Sequence, residues 1–241
     1  MLVAIPSKGR AGAVKTLKVL PSASLFIPAS EERSYRGIYP DAEIVPVPED
    51  VRGITNTRNW VLTNTDDRYV VFVDDDVVGV GYWAIGIETK KKVPMSQAEL
   101  LQDWLRLFHV TDDLGYHLWG AETTGDPRTA GAGGTHHPFV WHTYVTASCM
   151  GIVNDGIRFD PEYPVKEDYE LSLRCIKEDG GIVGARFLFW KNEHWATNGG
   201  CGDYRTQDME DGVIKKLMDA YPGYIKKITK GGSQYSIRID F

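Results

Sequence analysis

The sequence predicts an α/β protein built on an open, mostly parallel sheet flanked by helices. Three features carry that expectation. The first part of the 241-residue chain alternates short apolar segments with helical ones, and such alternation produces a parallel sheet with right-handed crossovers. Tyr69–Val73 is a run of strand formers with no polar alternation, as expected of a strand covered on both faces. That run passes straight into Asp74, Asp75 and Asp76, and ligands of open α/β sheets sit in the crevice beyond the strand ends.

Taken in order, Leu2–Ile5 reads as the first strand. Pro6-Ser7-Lys8-Gly9-Arg10-Ala11-Gly12 is the loop after it, leading to a helix near Val14–Val19. Strands follow at Ser24–Ile27 and Glu43–Val47, with a helix over Glu31–Tyr39 between them. A helix over Gly53–Leu62, carrying Arg58 and Asn59, leads to the acidic strand. Lys90-Lys91-Lys92 reads as a solvated turn. Gln97–His109 has helical apolar spacing at Leu100, Leu101, Trp104, Leu105 and Phe108, which marks a core face. After a strand near His117–Ala121, residues 123–135 lose all periodicity, and a loop that long is functional or disordered. Thr143–Val153 reads as one long strand. Glu167 and Asp168 open a helix after a Pro-rich loop, Ile182–Ala185 and Phe187–Trp190 are short strands, Gln207–Tyr221 is a helix, and Tyr235–Ile239 closes the chain as a strand.

With 42% apolar and 25% charged residues, the composition is that of an ordinary soluble protein, and its length suits a single domain. No apolar run approaches the ~20 residues that cross a bilayer, and the N-terminus begins as a strand without a signal-peptide pattern. No membrane association is expected, and the location expected is cytoplasmic. Cys149, Cys175 and Cys201 are too widely spaced for a CxxC metal site or a disulfide framework. His136, His137 and His142 match no zinc spacing. The net charge of −6 argues against general polyanion affinity, yet Lys215, Lys216, Lys226, Lys227, Lys230 and Arg238 face only Asp219 and Asp240 in the last stretch of chain, a tail suited to phosphates.

Two centres carry chemistry. Three adjacent carboxylates repel one another unless a cation sits among them, so the end of the acidic strand calls for a divalent metal; on an extended backbone Asp74 and Asp76 point one way and Asp75 the other. The alternative is an acidic turn capping the next element. Glu167 and Asp168 are favoured at a helix N-terminus by the dipole, and equally suit a general base aimed at an acceptor hydroxyl. Small residues and cations after the first strand suit a nucleotide cradle, although the same loop reads as a solvated turn. The Arg58-Asn59 pair can hold a nucleotide, orient the carboxylates or form a surface ion pair.

Together, Pro6-Ser7-Lys8-Gly9-Arg10, Arg58-Asn59, Asp74-Asp75-Asp76 and Glu167-Asp168, with His194 downstream, resemble the GT-A-fold glycosyltransferases that use nucleotide-sugars. The first of these pieces, with Thr57-Arg58-Asn59-Trp60 and Asn198-Gly199-Gly200…Tyr204-Arg205, is more specifically similar to the TET-associated glycosyltransferases of phage and metagenomic origin, thought to add sugars to hydroxymethylated cytosine in DNA. That resemblance implies a Rossmann-like sheet with a smaller acceptor-side mixed sheet, in which residues 1–80 form the nucleotide-binding half and 81–241 the acceptor half. It implies Mn2+ or Mg2+ on Asp76, with His194 as second ligand, and Asp74 at the ribose or the metal's waters. Pro6, Ser7, Arg10, Arg58, Asn59 and Asp75 join the donor site, Asp168 is the base with Glu167 positioning sugar or acceptor, and Gly199, Gly200 and Arg205 lie toward the acceptor. Direct attack would invert the anomeric centre. A phage-encoded protein would work in the host cytoplasm. The rival readings are a sugar-1-phosphate nucleotidyltransferase, whose longer N-terminal Gly-rich loop with a following Lys is lacking here, and a catalytically silent binding module of the same fold.

Overall fold

The structure, a computed structural model, describes residues 1–85, 90–121, 138–193, 205–230 and 234–239. The insertion at 123–135, together with His136, His137, His194, Gly199, Gly200 and Cys201, lies outside these residues.

Strands β1 (Leu2–Pro6), β2 (Ser24–Pro28), β3 (Ile44–Val47) and β4 (Tyr69–Val73) are joined through α1 (Glu32–Ile38) and α2 (Ile54–Thr63). They lie parallel in the order β3-β2-β1-β4. Beyond β4 the same sheet continues through β9 (Cys149–Val153), β7 (Leu118–Ala121), β10 (Val183–Ala185) and β8 (Phe139–Val140), eight strands in all. Here β7 and β10 are parallel, while β9 runs antiparallel to both β4 and β7. A second sheet of three antiparallel strands, β11-β5-β6, is made from β5 (Val77–Ile85), β6 (Lys90–Pro94) and β11 (Leu188–Asn192). The smaller sheet expected as mixed is therefore antiparallel.

As its unbroken apolar run implies, β4 is covered on both faces. Val71 and Val73 pack with Leu100, Trp104, Leu107 and Phe108 of α3 (Gln97–Asp113). Val70 and Phe72 pack with Val61 and Leu62 of α2 and with Leu171 and Cys175 of α4 (Glu167–Glu178). Ser96 and Glu99 close a capping box that starts α3. Leu105, expected on the core face of α3, is 38% exposed, and Leu107 is buried in its stead. A third cluster joins Leu173 of α4 to Val213, Ile214 and Leu217 of α5 (Gln207–Ala220), and β12 (Ile225–Lys230) pairs with β13 (Gln234–Ile239).

Three further expectations are corrected. The helix near Val14–Val19 is only a 3-10 turn over Thr16–Lys18. There the Lys15 N–H donates to the Asp75 carbonyl at 2.8 Å, and the Thr16 hydroxyl donates to the Asp74 carbonyl at 2.6 Å, so this stretch is tied to the end of β4. Lys90–Lys92 belongs to a strand, where Lys92 lies opposite Trp83 with its ammonium 4.9 Å from the indole ring centroid. The long strand over Thr143–Val153 shortens to β9, because the chain before Cys149 turns to bond α4: the Val145 N–H donates to Ser172 Oγ at 3.1 Å and the Ala147 N–H to Asp168 Oδ2 at 3.2 Å.

His117, just before β7, lies between Asp179, 2.8 Å from Nδ1, and Asp155, 3.0 Å from Nε2. With a carboxylate at each ring nitrogen, both must carry a proton for both contacts to be hydrogen bonds. Burial opposes that charge, but Asp179 and Asp155 together raise the imidazole above its ordinary value.

Three predictions follow from this packing. A Cβ on Gly151 of β9 would lie 2.0 Å from the buried Trp119 indole, so Gly151→Ala is expected to cost about 1–3 kcal/mol in urea unfolding. Gly37→Ala in α1, where nothing lies within 4 Å, should be neutral or gain about 0.5–1 kcal/mol. Because His117 has its proton affinity raised by folding, its contribution is complete below the ordinary value of 6.5 and is lost as pH rises through the raised folded value. The stability gap between wild type and His117→Gln should therefore narrow as unfolding is measured at increasing pH across that window; a widening gap would contradict the assignment.

Candidate active site

Because β4 ends at Val73 and the chain then turns into β5, the three carboxylates fan out instead of alternating as on a strand. Asp75 points back to the loop after β1. It is 5% exposed, accepting from Ser7 Oγ at 2.5 Å and from Arg10 Nη1 at 2.6 Å. Burial raises its proton affinity, while Ser7 and Arg10 oppose that. The Tyr35 hydroxyl of α1 is 2.9 Å from Ser7 Oγ and accepts from the Arg10 N–H at 3.2 Å. Pro6 ends β1 opposite Phe26. Thus Pro6, Ser7, Arg10 and Asp75 stand together, and a buried carboxylate, one hydroxyl pair and a guanidinium set the shape of the loop.

Asp76 points toward the second sheet. Its Oδ1 accepts from Asn192 Nδ2 at 2.7 Å, and its carbonyl accepts from the Glu193 N–H at 3.0 Å. The end of β11 is thereby fastened to the acidic tip one residue before His194.

Asp74 opens toward the opposite wall. Its side chain is 38% exposed and lies 3.6 Å from Arg58, which is 2% exposed and also ion-paired with Glu167 at the start of α4. The guanidinium lies 5.7 Å from the Phe72 ring centroid and 5.6 Å from that of Phe159. Although part of the side chain reaches solvent, the packed groups around the end of β4 strip enough water from Asp74 to lift it to about 6; Arg58 opposes this, and Asp76, Asp75 and Asp168 add repulsion. Glu167 is likewise pushed up by burial, with Arg58 opposing and Asp168 adding to the rise. Arg58 therefore has no surface to offer a donor and acts as a counter-charge inside the wall. Asn59 has its amide on the backbone of Phe159, both accepting and donating at 2.8 Å, which pins the loop before α4 rather than reaching the cleft.

Asp168 is the second residue of α4. Its Oδ2 accepts from the Tyr144 hydroxyl at 2.5 Å and from the Ala147 N–H, and its Oδ1 from the Tyr169 N–H at 3.0 Å. The preceding Lys166 has φ +56°, a left-handed conformation costing a non-glycine residue about 1–2 kcal/mol, which sharpens the entry to the helix. Lys166 reaches Glu210 of α5 at 2.8 Å, and Glu210 also pairs with Arg205. Arg205 is thus the one acceptor-side residue of the sequence reading that the structure describes, and it borders this wall through Glu210. Thr16, Tyr35, Tyr144, Ala147 and Asn192 were not foreseen. Each is local polar chemistry distant in sequence from the acid it serves, and only Asn192, two residues before His194, lay near a signal.

A wide, mostly parallel sheet of eight strands beside a small antiparallel sheet is the architecture of the GT-A class of glycosyltransferase. The chain belongs to the TET-associated glycosyltransferase family, whose pattern matches residues 1–198. No curated protein sequence matches it. Among solved structures it is similar to glucosyl-3-phosphoglycerate synthase from Mycobacterium tuberculosis in complex with Mn2+, UDP-glucose and phosphoglyceric acid, with TM-score 0.51 and 15% identity over 98% of this chain and 86% of that one. It is also similar to residues 1–349 of S. aureus TarS in complex with UDP-GlcNAc, with TM-score 0.54 and 10% identity over 91% of this chain and 67% of that one.

Removing one partner of a buried ion pair strands the other. Arg58→Met is expected to cost about 3–5 kcal/mol in equilibrium unfolding, and Arg58→Met combined with Glu167→Leu should recover a large part of that loss. A double variant at least as unstable as the sum of its single variants would contradict the pairing.

Proposed function

We propose that the protein transfers a sugar from a UDP-sugar to an acceptor hydroxyl, with the 5-hydroxymethyl group of modified cytosine in DNA as acceptor and with inversion at the anomeric carbon. The observation that carries the reading is Arg58, which lies 3.6 Å from Asp74 and pairs with Glu167, so that the acidic tip of β4 meets the helix end that carries Asp168. Support for the donor comes from the solved relatives, which hold UDP-glucose with Mn2+ or UDP-GlcNAc.

The residues fit a divalent ion. Among the described residues no group of three or more His, Cys, Asp or Glu is placed to enclose one, but Mg2+ and similar hard ions are commonly held by one or two carboxylates together with substrate phosphates. The mutual repulsion at Asp74, Asp75 and Asp76 is what such an ion relieves. Asp76 and His194 would hold it, and when bound it neutralises charge developing on the departing diphosphate. The loop of Pro6, Ser7 and Arg10, fixed by Asp75, frames the nucleoside; Asp74 faces the ribose. Asp168 takes the acceptor proton, and Glu167, neutralised by Arg58, fixes the helix end that carries it.

The acceptor reading rests on the family and on charge placement. In sequence, the last stretch of chain carries Lys226, Lys227, Lys230 and Arg238 in a protein of net charge −6, and clustered cations are what phosphate backbones attract. Among the described residues no helix is long and apolar enough to cross a membrane.

Asp168→Asn should lower transfer about 10²–10⁴-fold while leaving Mn2+-dependent UDP binding intact, whereas Asp76→Asn should weaken both. These are measured by UDP release and by calorimetry. Undiminished transfer by Asp168→Asn removes it as base. Offered hydroxymethylated DNA, unmodified DNA and simple saccharides, the enzyme should glycosylate the first; a preference for saccharides defeats the DNA assignment.

A further inference from the structure

Tyr144 comes from the turning segment that replaces the expected long strand, and nothing in the sequence marks it. Its hydroxyl donates to Asp168 Oδ2 at 2.5 Å, and its ring is stacked on Tyr169 with centroids 4.0 Å apart and planes at 23°. The segment is anchored to α4 independently: the Val145 N–H donates to Ser172 Oγ at 3.1 Å, and Ser172 Oγ donates to the Asp168 carbonyl at 2.7 Å. The two oxygens of Asp168 are treated unequally. Oδ2 receives two donors, Tyr144 and the Ala147 N–H, whereas Oδ1 receives one described donor, the N–H of Tyr169. A carboxylate oxygen accepts about two hydrogen bonds in its plane, so Oδ2 is filled and Oδ1 keeps a lone pair.

We propose that Tyr144 is a positioning residue for transfer: with the Ala147 N–H it clamps Asp168 Oδ2, so that Oδ1 is the atom that receives the acceptor proton. The proposal rests on the reading of Asp168 as base. In the step concerned, the acceptor oxygen forms its bond to the anomeric carbon as the bond from that carbon to the diphosphate breaks. The hydroxyl proton passes to Oδ1, and the nucleoside diphosphate leaves with the bonding pair. Tyr144 donates throughout and is not consumed. Burial and the neighbouring Asp168 charge push its phenol well above its usual value, which keeps the proton on Tyr144. The charged and titratable groups facing Asp168 are Asp74 after β4, Glu167 and Tyr169 on its own helix, and Tyr144. Arg58 lies behind Asp74 and Glu167, and Arg205 and Glu210 lie beyond Tyr169.

The test uses the full chain with Tyr144→Phe, which keeps the ring and removes the donor. Titration of the Asp168 carboxyl carbon by NMR needs no acceptor. Loss of a hydrogen bond to the charged form should raise the carboxyl's proton affinity by about tenfold or more, with the thermal midpoint little changed. In turnover, kcat should fall about 10–100-fold with donor KM unchanged, and Tyr144→Phe should add no further loss to Asp168→Asn. An unshifted carboxyl titration, or equal losses in the wild-type and Asp168→Asn backgrounds, overturns the proposal. If Asp168→Asn is inactive while Tyr144→Phe behaves as wild type, the positioning role fails and the base stands. If Asp168→Asn retains transfer, the base itself fails and the positioning role goes with it.

Discussion

A single buried guanidinium sits where the two halves of the cleft meet. Arg58 leaves the middle of α2, packs near the rings of Phe72 and Phe159, and sets its charge between Asp74 on one wall and Glu167 on the other. Burying a carboxylate such as Glu167 costs several kcal/mol unless a counter-charge lies beside it, and the partly exposed Asp74 nearby adds a second negative charge to balance. Arg58 makes the approach of the acidic tip to the N-terminus of α4 tolerable, and the rest of the site is organised around that approach.

On the donor side, a second ion pair does related work at smaller scale. Asp75 spends its oxygens on Ser7 and Arg10, so the first loop of the chain takes its shape from the carboxylate triplet more than 60 residues away. The three acids therefore divide their labour: one lies beside Arg58, one shapes the loop after β1, and one meets the end of β11 through Asn192.

The parallel half of the sheet was legible because its strands are short and apolar, β3 is bounded by prolines, and β4 lacks polar alternation, a pattern that two-sided burial produces. Glu167-Asp168 was legible for the same kind of reason, since a Pro-rich loop running into acids marks a helix start. What escaped had no local signature. The Thr143–Val153 stretch is rich in strand formers, yet its first part bends to bond α4. Lys90–Lys92 looks like a solvated turn but pairs as a strand because Trp83 lies opposite. Arg58 read equally well as a surface pair, a phosphate ligand or an orienting group, and only its burial decides among these. In each case the deciding partner is remote in sequence, so tertiary contact overrides local preference.

The most direct test of this account is a crystal structure of the protein with Mn2+ and UDP-glucose. The account predicts the ion beside Asp76, the diphosphate between the tip of β4 and α4, and the Arg58–Glu167 pair intact behind them. A nucleotide bound on another face, or Arg58 swung out of the wall to grip phosphate, would contradict it.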